Sequence, residues 1–255
     1  MGADRPNGSL YTKIENRIAT IEFGHPASNS FTSELLQRLT DEIHKLSQNQ
    51  EVSILVLKSE GERAFCAGAS FDELVAISNL EEGKTFFSGF ANVINAMRTC
   101  KKPIIGRIQG KAVGGGVGLA ATCDYVYATV DASIKLSEIS IGIAPLVISP
   151  AVERKIGKDG LAEMALNPTE WKNAYWAKEK GLFSKVYDSI SDLDKELEHH
   201  ALQLASYNPE ALSIMKKTLW EDTADWSELL INRAEQSGKL ALSEATKSAL
   251  VKFKK

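Results

Sequence analysis

The 255-residue chain is poor in cysteine and histidine: three cysteines, Cys66, Cys100 and Cys123, lie far apart, and the four histidines are His25, His44, His199 and His200. No Cys-x-x-Cys pair or zinc-ligand spacing occurs, which excludes a disulfide framework and a zinc module. An excess of one charge is missing too. Thirty Lys and Arg against 33 Asp and Glu leave a net charge of −3, so no global positive field draws nucleic acid or anionic lipid. No apolar run approaches the roughly 20 residues of a membrane-spanning helix, and no charged-then-apolar leader is visible. The expectation is a cytoplasmic protein with reduced thiols, and with neither nucleic acid nor membrane as partner. What is present, 44% apolar and 25% charged residues, is the balance of a folded globular chain. The length suits one larger α/β domain with a small appendage.

Two β-prone runs, Leu10 to Ile14 and Arg17 to Phe23, flank Glu15-Asn16 and predict an N-terminal hairpin. Leu35, Leu36, Leu39, Ile43 and Leu46 then recur at helical spacing, with Thr32 or Ser33 as the cap. Val52 to Leu57, Pro103 to Ile108 and Tyr125 to Thr129 are short apolar runs suited to strands buried on both faces. Strands alternating with helices over the first 145 residues or so predict a largely parallel sheet. From about residue 150 the pattern becomes helical, with helices expected over 193–205, 209–220, 227–242 and 243–253.

Function concentrates in two stretches, Ala64 to Ser70 (AFCAGAS) and Gly110 to Leu119 (GKAVGGGVGL). Each follows a strand candidate, and small residues at a strand's carboxyl end let backbone approach a ligand closely. Two such loops can aim two N–H groups at one oxygen, an oxyanion hole in which each donor is worth about 3–4 kcal/mol. Tight turns and close helix packing explain an isolated glycine-rich loop equally simply. A dinucleotide fingerprint is the sharper rival, since Gly116-x-Gly118-x-x-Ala121 fits its spacing and Glu138 follows at about 20 residues. Its mid-chain position, and the glycine-bearing run 110–115 where an apolar strand should precede it, weigh against that reading.

The pairing of AFCAGASFDEL (64–74) with QGKAVGGGVGLAATCDY (109–125), followed by KLSEISIGIAP (135–145), resembles the enoyl-CoA hydratase/isomerase, or crotonase, family. The likeness continues through AKEKGLF (177–183) and through NPEAL (208–212) with Lys216, nearly the whole chain. It implies an α/β fold of the crotonase type: a spiral of ββα units with a helical C-terminal region. Residues 1–195 would form the spiral core, and 196–255 a helical oligomerisation region of a homotrimer or a dimer of trimers. The implied substrate is an acyl-CoA thioester, with coenzyme A part of the substrate and no metal or other cofactor required.

By position, the resemblance makes the N–H groups of Ala69 and Gly115 the oxyanion hole, and Glu138 the catalytic carboxylate. Ala27, Ser28, Ala67 and Gly68 fall on the coenzyme A strap, with Arg63, Lys252, Lys254 and Lys255 as candidate phosphate partners. Leu74, Ile143, Pro145 and Leu146 border the acyl pocket, with Phe87 and Phe90 either beside them or in helix packing. Cys66 is expected to be a small core residue, Asp124 a structural one, and Trp171, Trp176, Trp220 and Trp226 either an interface or, more simply, packing residues within the tail. Ser70 stands where an Asp is usual.

Gly118 stands where typical hydratases carry their second glutamate. One carboxylate resembles 3-enoyl to 2-enoyl isomerases. Single-glutamate hydratases also exist, and GVGLAA with IGIAPLVISPAVERKIG resembles bacterial sequences grouped with methylglutaconyl-CoA hydratases. Hydratase, isomerase and a non-catalytic acyl-CoA-binding protein are the three readings carried forward.

Overall fold

A computed structural model describes residues 7–253. The chain opens with an antiparallel hairpin, β1 (Ser9–Glu15) and β2 (Ile18–Gly24). Asn16 and Arg17 form its turn, both at positive φ, which matches the twist of a two-residue hairpin. Next comes α1 (Ser33–Gln48), capped by Thr32, whose hydroxyl accepts from Leu35 N–H. Ser33, the other cap candidate, instead gives its N–H and hydroxyl to the Glu73 carboxylate.

The ββα rhythm then begins. β3 (Ile54–Ser59) and β4 (Ala64–Cys66) lead to α2 (Phe71–Ala76) and α3 (Leu80–Thr99). β5 (Ile104–Ile108) and β6 (Lys111–Val113) lead to α4 (Gly115–Thr122). β7 (Tyr125–Thr129) and β8 (Ser133–Lys135) lead, through a 3-10 turn at Glu138–Ile141, to α5 (Ser149–Ala165). One strand of each pair joins a sheet ordered β1-β2-β3-β5-β7-β10, and the other a sheet ordered β4-β6-β8-β9. From β2 onward the larger sheet is parallel. This is the expected spiral.

Side-chain alternation along β3 explains its nearly continuous apolar run. Leu55 and Leu57 join the main core, while Ile54 and Val56 join a second cluster with Leu193 and Leu197, so both faces are buried. Those partners lie on α7 (Ile190–Ala205), which follows β9 (Lys172–Asn173), α6 (Ala174–Glu179) and β10 (Lys185–Tyr187). β9 and β10 interrupt the region expected to be helical after residue 150. At two and three residues they are too short to show a period, and they form by adding to edges that β8 and β7 already present. The expected change of region at 195/196 falls inside α7, whose apolar side packs on the larger sheet.

The tail consists of α8 (Pro209–Leu219), α9 (Trp226–Ala241) and α10 (Glu244–Phe253). α9 crosses α3 at Gly83 and Gly238, where a Cβ on either residue would come within 2.9 Å of the other helix's backbone. That approach locks the tail onto the spiral. Trp220 and Trp226 pack edge to face, 5.9 Å between centroids, inside the same tail.

Candidate active site

The smaller sheet decides which loops meet. β4, β6 and β8 are parallel neighbours, so their carboxyl ends lie along one edge, where α/β sheets present ligand sites. β4 runs into Ala67-Gly68-Ala69, β6 into Gly114-Gly115, and β8 into Glu138. Gly114 N–H donates to Lys135 O, 2.9 Å away, which ties the last two ends together.

Ala69 forms an isolated parallel bridge with Phe31. Phe31 N–H donates to Gly68 O (2.8 Å) and Ser70 N–H donates to Phe31 O (2.7 Å). In such a bridge the flanking groups make the bonds and the N–H of Ala69 points the other way. Gly68, at φ +92°, gives the loop the turn it needs, and a Cβ there would sit 3.6 Å from Gly115 N, so the two loops touch. Gly115 is the first residue of α4; its N–H is among those no helical carbonyl can satisfy, and it lies at the positive end of the helix dipole. Among the described residues, no loop hydrogen bond uses the N–H of Ala69 or Gly115. Both expected oxyanion donors are thus unspent.

Beneath them, Phe23, Phe31, Phe65 and Phe90 interlock with centroid separations of 4.6–6.0 Å, each aromatic pair worth about 0.5–1.5 kcal/mol beyond burial. Phe90 presses on Gly115, where a Cβ would lie 2.3 Å from the ring. Gly114 (φ 52°, ψ −116°) has a backbone that side-chain-bearing residues avoid, and a Cβ there would meet Glu138 Oε1 at 2.6 Å. The glycines therefore bring the carboxylate beside the amides.

Glu138 opens the 3-10 turn, which Gly142 closes at φ 85°. Thr246 of α10 donates its hydroxyl to Gly142 O, 2.7 Å away, and so pins the turn from outside. Glu138 Oε2 is buried without a hydrogen-bond partner among the described residues. Burial, only partly offset by a hydrogen bond from its own backbone, pushes the carboxyl up from 4.5 to about 7. A carboxyl poised near neutrality both takes and returns a proton.

These groups face a cavity of about 290 Å³ lined by Ala67, Gly68, Ala69, Gly115 and Glu138. The expected acyl-pocket residues Leu74, Ile143, Pro145 and Leu146 all line it, as do Phe87 and Phe90. Sequence reasoning missed Phe86, Ile148 and Ser237, which share the lining. Gly118 lies behind the wall, and a Cβ there would come within 2.4 Å of Ile148 Cγ2. The volume that a second carboxylate would need is filled by Ile148.

A family model described as enoyl-CoA hydratase/isomerase matches residues 13–249. The chain belongs to the enoyl-CoA hydratase/isomerase family. It is similar to the 2,3-dehydroadipyl-CoA hydratase of Escherichia coli (30% identity, 82% of this chain and 81% of that one). It is also similar to the peroxisomal Delta(3,5)-Delta(2,4)-dienoyl-CoA isomerase of Arabidopsis thaliana (28%, 75% and 72%). The crystal structure of enoyl-CoA hydratase from Bacillus halodurans superposes with a TM-score of 0.87 at 21% identity, covering 95% of this chain and 99% of that one. The protein is a crotonase-fold enzyme, a hydratase or an isomerase.

Around this crotonase site the other expected residues fall as follows. Ala27 and Ser28 lie exposed in a turn whose Ser28 carbonyl accepts from Ala67 N–H at 3.1 Å, so this turn and the 67–69 loop are one unit. Asn29, not singled out from the sequence, holds that unit by donating Nδ2–H to Glu60 O (2.8 Å) and Ala64 O (2.9 Å). Its tolerance of positive φ, here 56°, was the available signal. Ser70 caps α2 by accepting from Glu73 N–H, and leaves the Ala69 amide untouched. Arg63 and Lys252 are exposed; Lys254 and Lys255 lie outside the described residues. Cys66 is fully buried, accepts from Gly68 N–H, and has its thiol pushed up to about 12 by burial, an inert core group. The short strand β6 does precede Gly116, contrary to the sequence reading. Yet a Cβ on Gly116 would meet Cys66 O at 2.5 Å and one on Gly118 would meet Ile148 at 2.4 Å, so both fingerprint glycines are taken up by close packing.

Proposed function

We propose that this enzyme hydrates a 2-enoyl-CoA. The thioester oxygen lies between the N–H groups of Ala69 and Gly115. Glu138 takes a proton from water as the water oxygen bonds to the β-carbon, and the double-bond electrons move onto the α-carbon and the thioester oxygen. Glu138 then returns its proton to the α-carbon, so the net change is one water added. The observation that carries this reading is the buried, partnerless Oε2 of Glu138 in the same cavity as two unspent amides. Two such donors contribute about 3–4 kcal/mol each, and a positioned acid/base about 10²–10⁴ in rate. The two backbone N–H groups stabilise the charge that develops on the thioester oxygen, so the scheme needs no metal or redox cofactor. The resemblance to sequences grouped with methylglutaconyl-CoA hydratases puts a 3-methylglutaconyl-CoA-like ester first among the substrates to test. On the family resemblance we read a homotrimer or dimer of trimers, which light scattering tests, and on the unpaired cysteines a cytoplasmic location.

One observation favours a second reading. With Ile148 filling the space against Gly118, Glu138 acts alone, and a lone base suffices to move a proton between carbons in a 3-enoyl to 2-enoyl isomerisation. The experiment is product analysis by chromatography and mass spectrometry after separate incubation with crotonyl-CoA, 3-methylglutaconyl-CoA and a 3-enoyl-CoA. A gain of one water from either 2-enoyl ester supports hydration. An isomeric product from the 3-enoyl ester alone replaces it with isomerisation, and no product from any of the three overturns both.

A further inference from the structure

The acyl cavity contains a hydroxyl that the reaction above does not use. Ser237 of α9 is 1% exposed, lines the cavity, and buries its Oγ without a hydrogen-bond partner among the described residues. A helical hydroxyl ordinarily returns its proton to the carbonyl four residues back. Thr40, Thr99 and Thr122 all do so in this protein, onto Leu36, Asn95 and Gly118 at 2.7–2.9 Å. Ser237 does not.

Packing gives no reason for the hydroxyl. The adjacent Gly238 is explained by the close crossing with Gly83, but alanine at 237 would be about as small, a better helix former, and free of a buried unsatisfied group. The surrounding wall is apolar, built from Leu74, Phe86, Phe87, Phe90, Ile143 and Leu146. Apart from Glu138, Ser237 is therefore the side chain there that is both buried and short of a partner. A ligand bearing oxygen satisfies it, and a plain hydrocarbon leaves it unpaired.

We propose that Ser237 is a specificity-determining residue whose hydroxyl donates a hydrogen bond to an oxygen carried on the acyl group, so that the enzyme selects oxygen-substituted acyl thioesters over hydrocarbon ones. This rests on the acyl-CoA reading above. Pockets built to pair a polar group discriminate strongly against analogues lacking it, because the site's own polar group is then stranded. The shared chemistry is an oxygen acceptor; a neutral hydroxyl and a carboxylate both offer one.

Calorimetric binding of three saturated thioesters, butyryl-CoA, 4-hydroxybutyryl-CoA and glutaryl-CoA, tests it without requiring turnover. The wild-type protein is expected to bind at least one of the oxygen-bearing esters about tenfold more tightly than butyryl-CoA, as one buried polar pair allows. In Ser237→Ala that ratio collapses toward one. Selective loss with the hydroxy ester identifies a neutral oxygen, and selective loss with glutaryl-CoA identifies a carboxylate. Ser237→Cys, similar in size but a weak donor, must show the same collapse, which separates recognition from any packing defect of the alanine variant. Absence of a wild-type preference, or one common factor across all three esters, overturns the proposal while leaving the acyl-CoA reading standing. Failure of every ester to bind overturns the acyl-CoA reading itself.

Discussion

Two carboxylates, fourteen positions apart, have opposite fates in this molecule. Asp124 is fully partnered: Lys216 Nζ reaches both its oxygens at 2.7–2.8 Å, Trp220 Nε1 donates at 2.7 Å, and Ile104 N–H donates at 2.7 Å. Lys216 is itself 1% exposed, so the tail helix α8 is pinned to the start of β7 by a buried ion pair. Glu138 has burial without those partners, and its carboxyl rises to about 7. The same functional group is structural where the fold completes its hydrogen bonds and, in the mechanism proposed, reactive where the fold withholds them.

The largest expected effect comes from Glu138→Gln. It keeps shape and removes the proton carrier, so turnover should fall by about 10²–10⁴ while CoA-ester affinity persists. Steady-state kinetics beside calorimetry checks this, and an unchanged rate removes Glu138 as the acid/base. The converse variant, Asp124→Asn, strands the Lys216 charge and should cost about 3–5 kcal/mol of stability, read by denaturant unfolding. Adding Lys216→Met should recover part of that loss, because replacing both partners avoids an uncompensated buried charge. If Asp124→Asn proved as damaging to the chemistry of the folded enzyme as Glu138→Gln, the division into structural and reactive carboxylates would collapse.

Acidity sharpens the contrast. With its folded value near 7 and an ordinary value of 4.5, Glu138 binds more protons in the folded than in the unfolded state between those limits. Its contribution to stability is therefore whole below about 4.5 and is lost as pH rises through 7, by on the order of 3 kcal/mol. Activity that needs the carboxylate runs the other way, rising through pH 7 to a plateau. Thermal melts and kcat/KM across pH 5–9 should show opposite slopes in the wild type, and Glu138→Gln should flatten the melting difference.

Much of this was legible in advance, and the misses share a cause. The apolar runs fixed β3, β5 and β7 because residues buried on both faces leave no polar alternation. Ala69, Gly115 and Glu138 were placed by motif, and the fold brings them to one edge because β4, β6 and β8 run parallel. β9 and β10 were illegible, since strands of two and three residues exist through their neighbours. Ile148 in front of Gly118, Asn29 under the 26–28 turn and Ser237 in α9 were missed for the same reason: each owes its role to a contact between distant segments, and no local pattern encodes it. Gly115 shows the limit from the other side. Its motif pointed to a donor, but the Phe90 ring filling the space where a Cβ would stand came only from packing. Gly115→Ala should displace the amide and lower kcat by about 10²–10³ with little change in ester affinity, whereas Gly89→Ala, whose Cβ meets the Leu36 side chain on α1, should leave kcat near wild type.

The smallest effect tests how Glu138 is held. Thr246, 0% exposed, receives Ser243 Oγ at 3.0 Å and gives its proton toward Gly142 O and Leu240 O at 2.7 and 2.8 Å. A Cβ on Gly142 would strike it at 2.6 Å, so α10 and the Glu138 turn interlock. Thr246→Val keeps the volume and deletes the hydroxyl. Losing one such bond costs about 0.5–1.5 kcal/mol, and a turn released by that amount should lower kcat a few-fold and shift the pH midpoint of kcat down, as water reaches the carboxyl. Thr246→Ser should restore both. A purely structural role for Thr246 predicts instead a lowered melting temperature with the midpoint unmoved, because stability of α10 alone has no way to reach the solvation of Glu138.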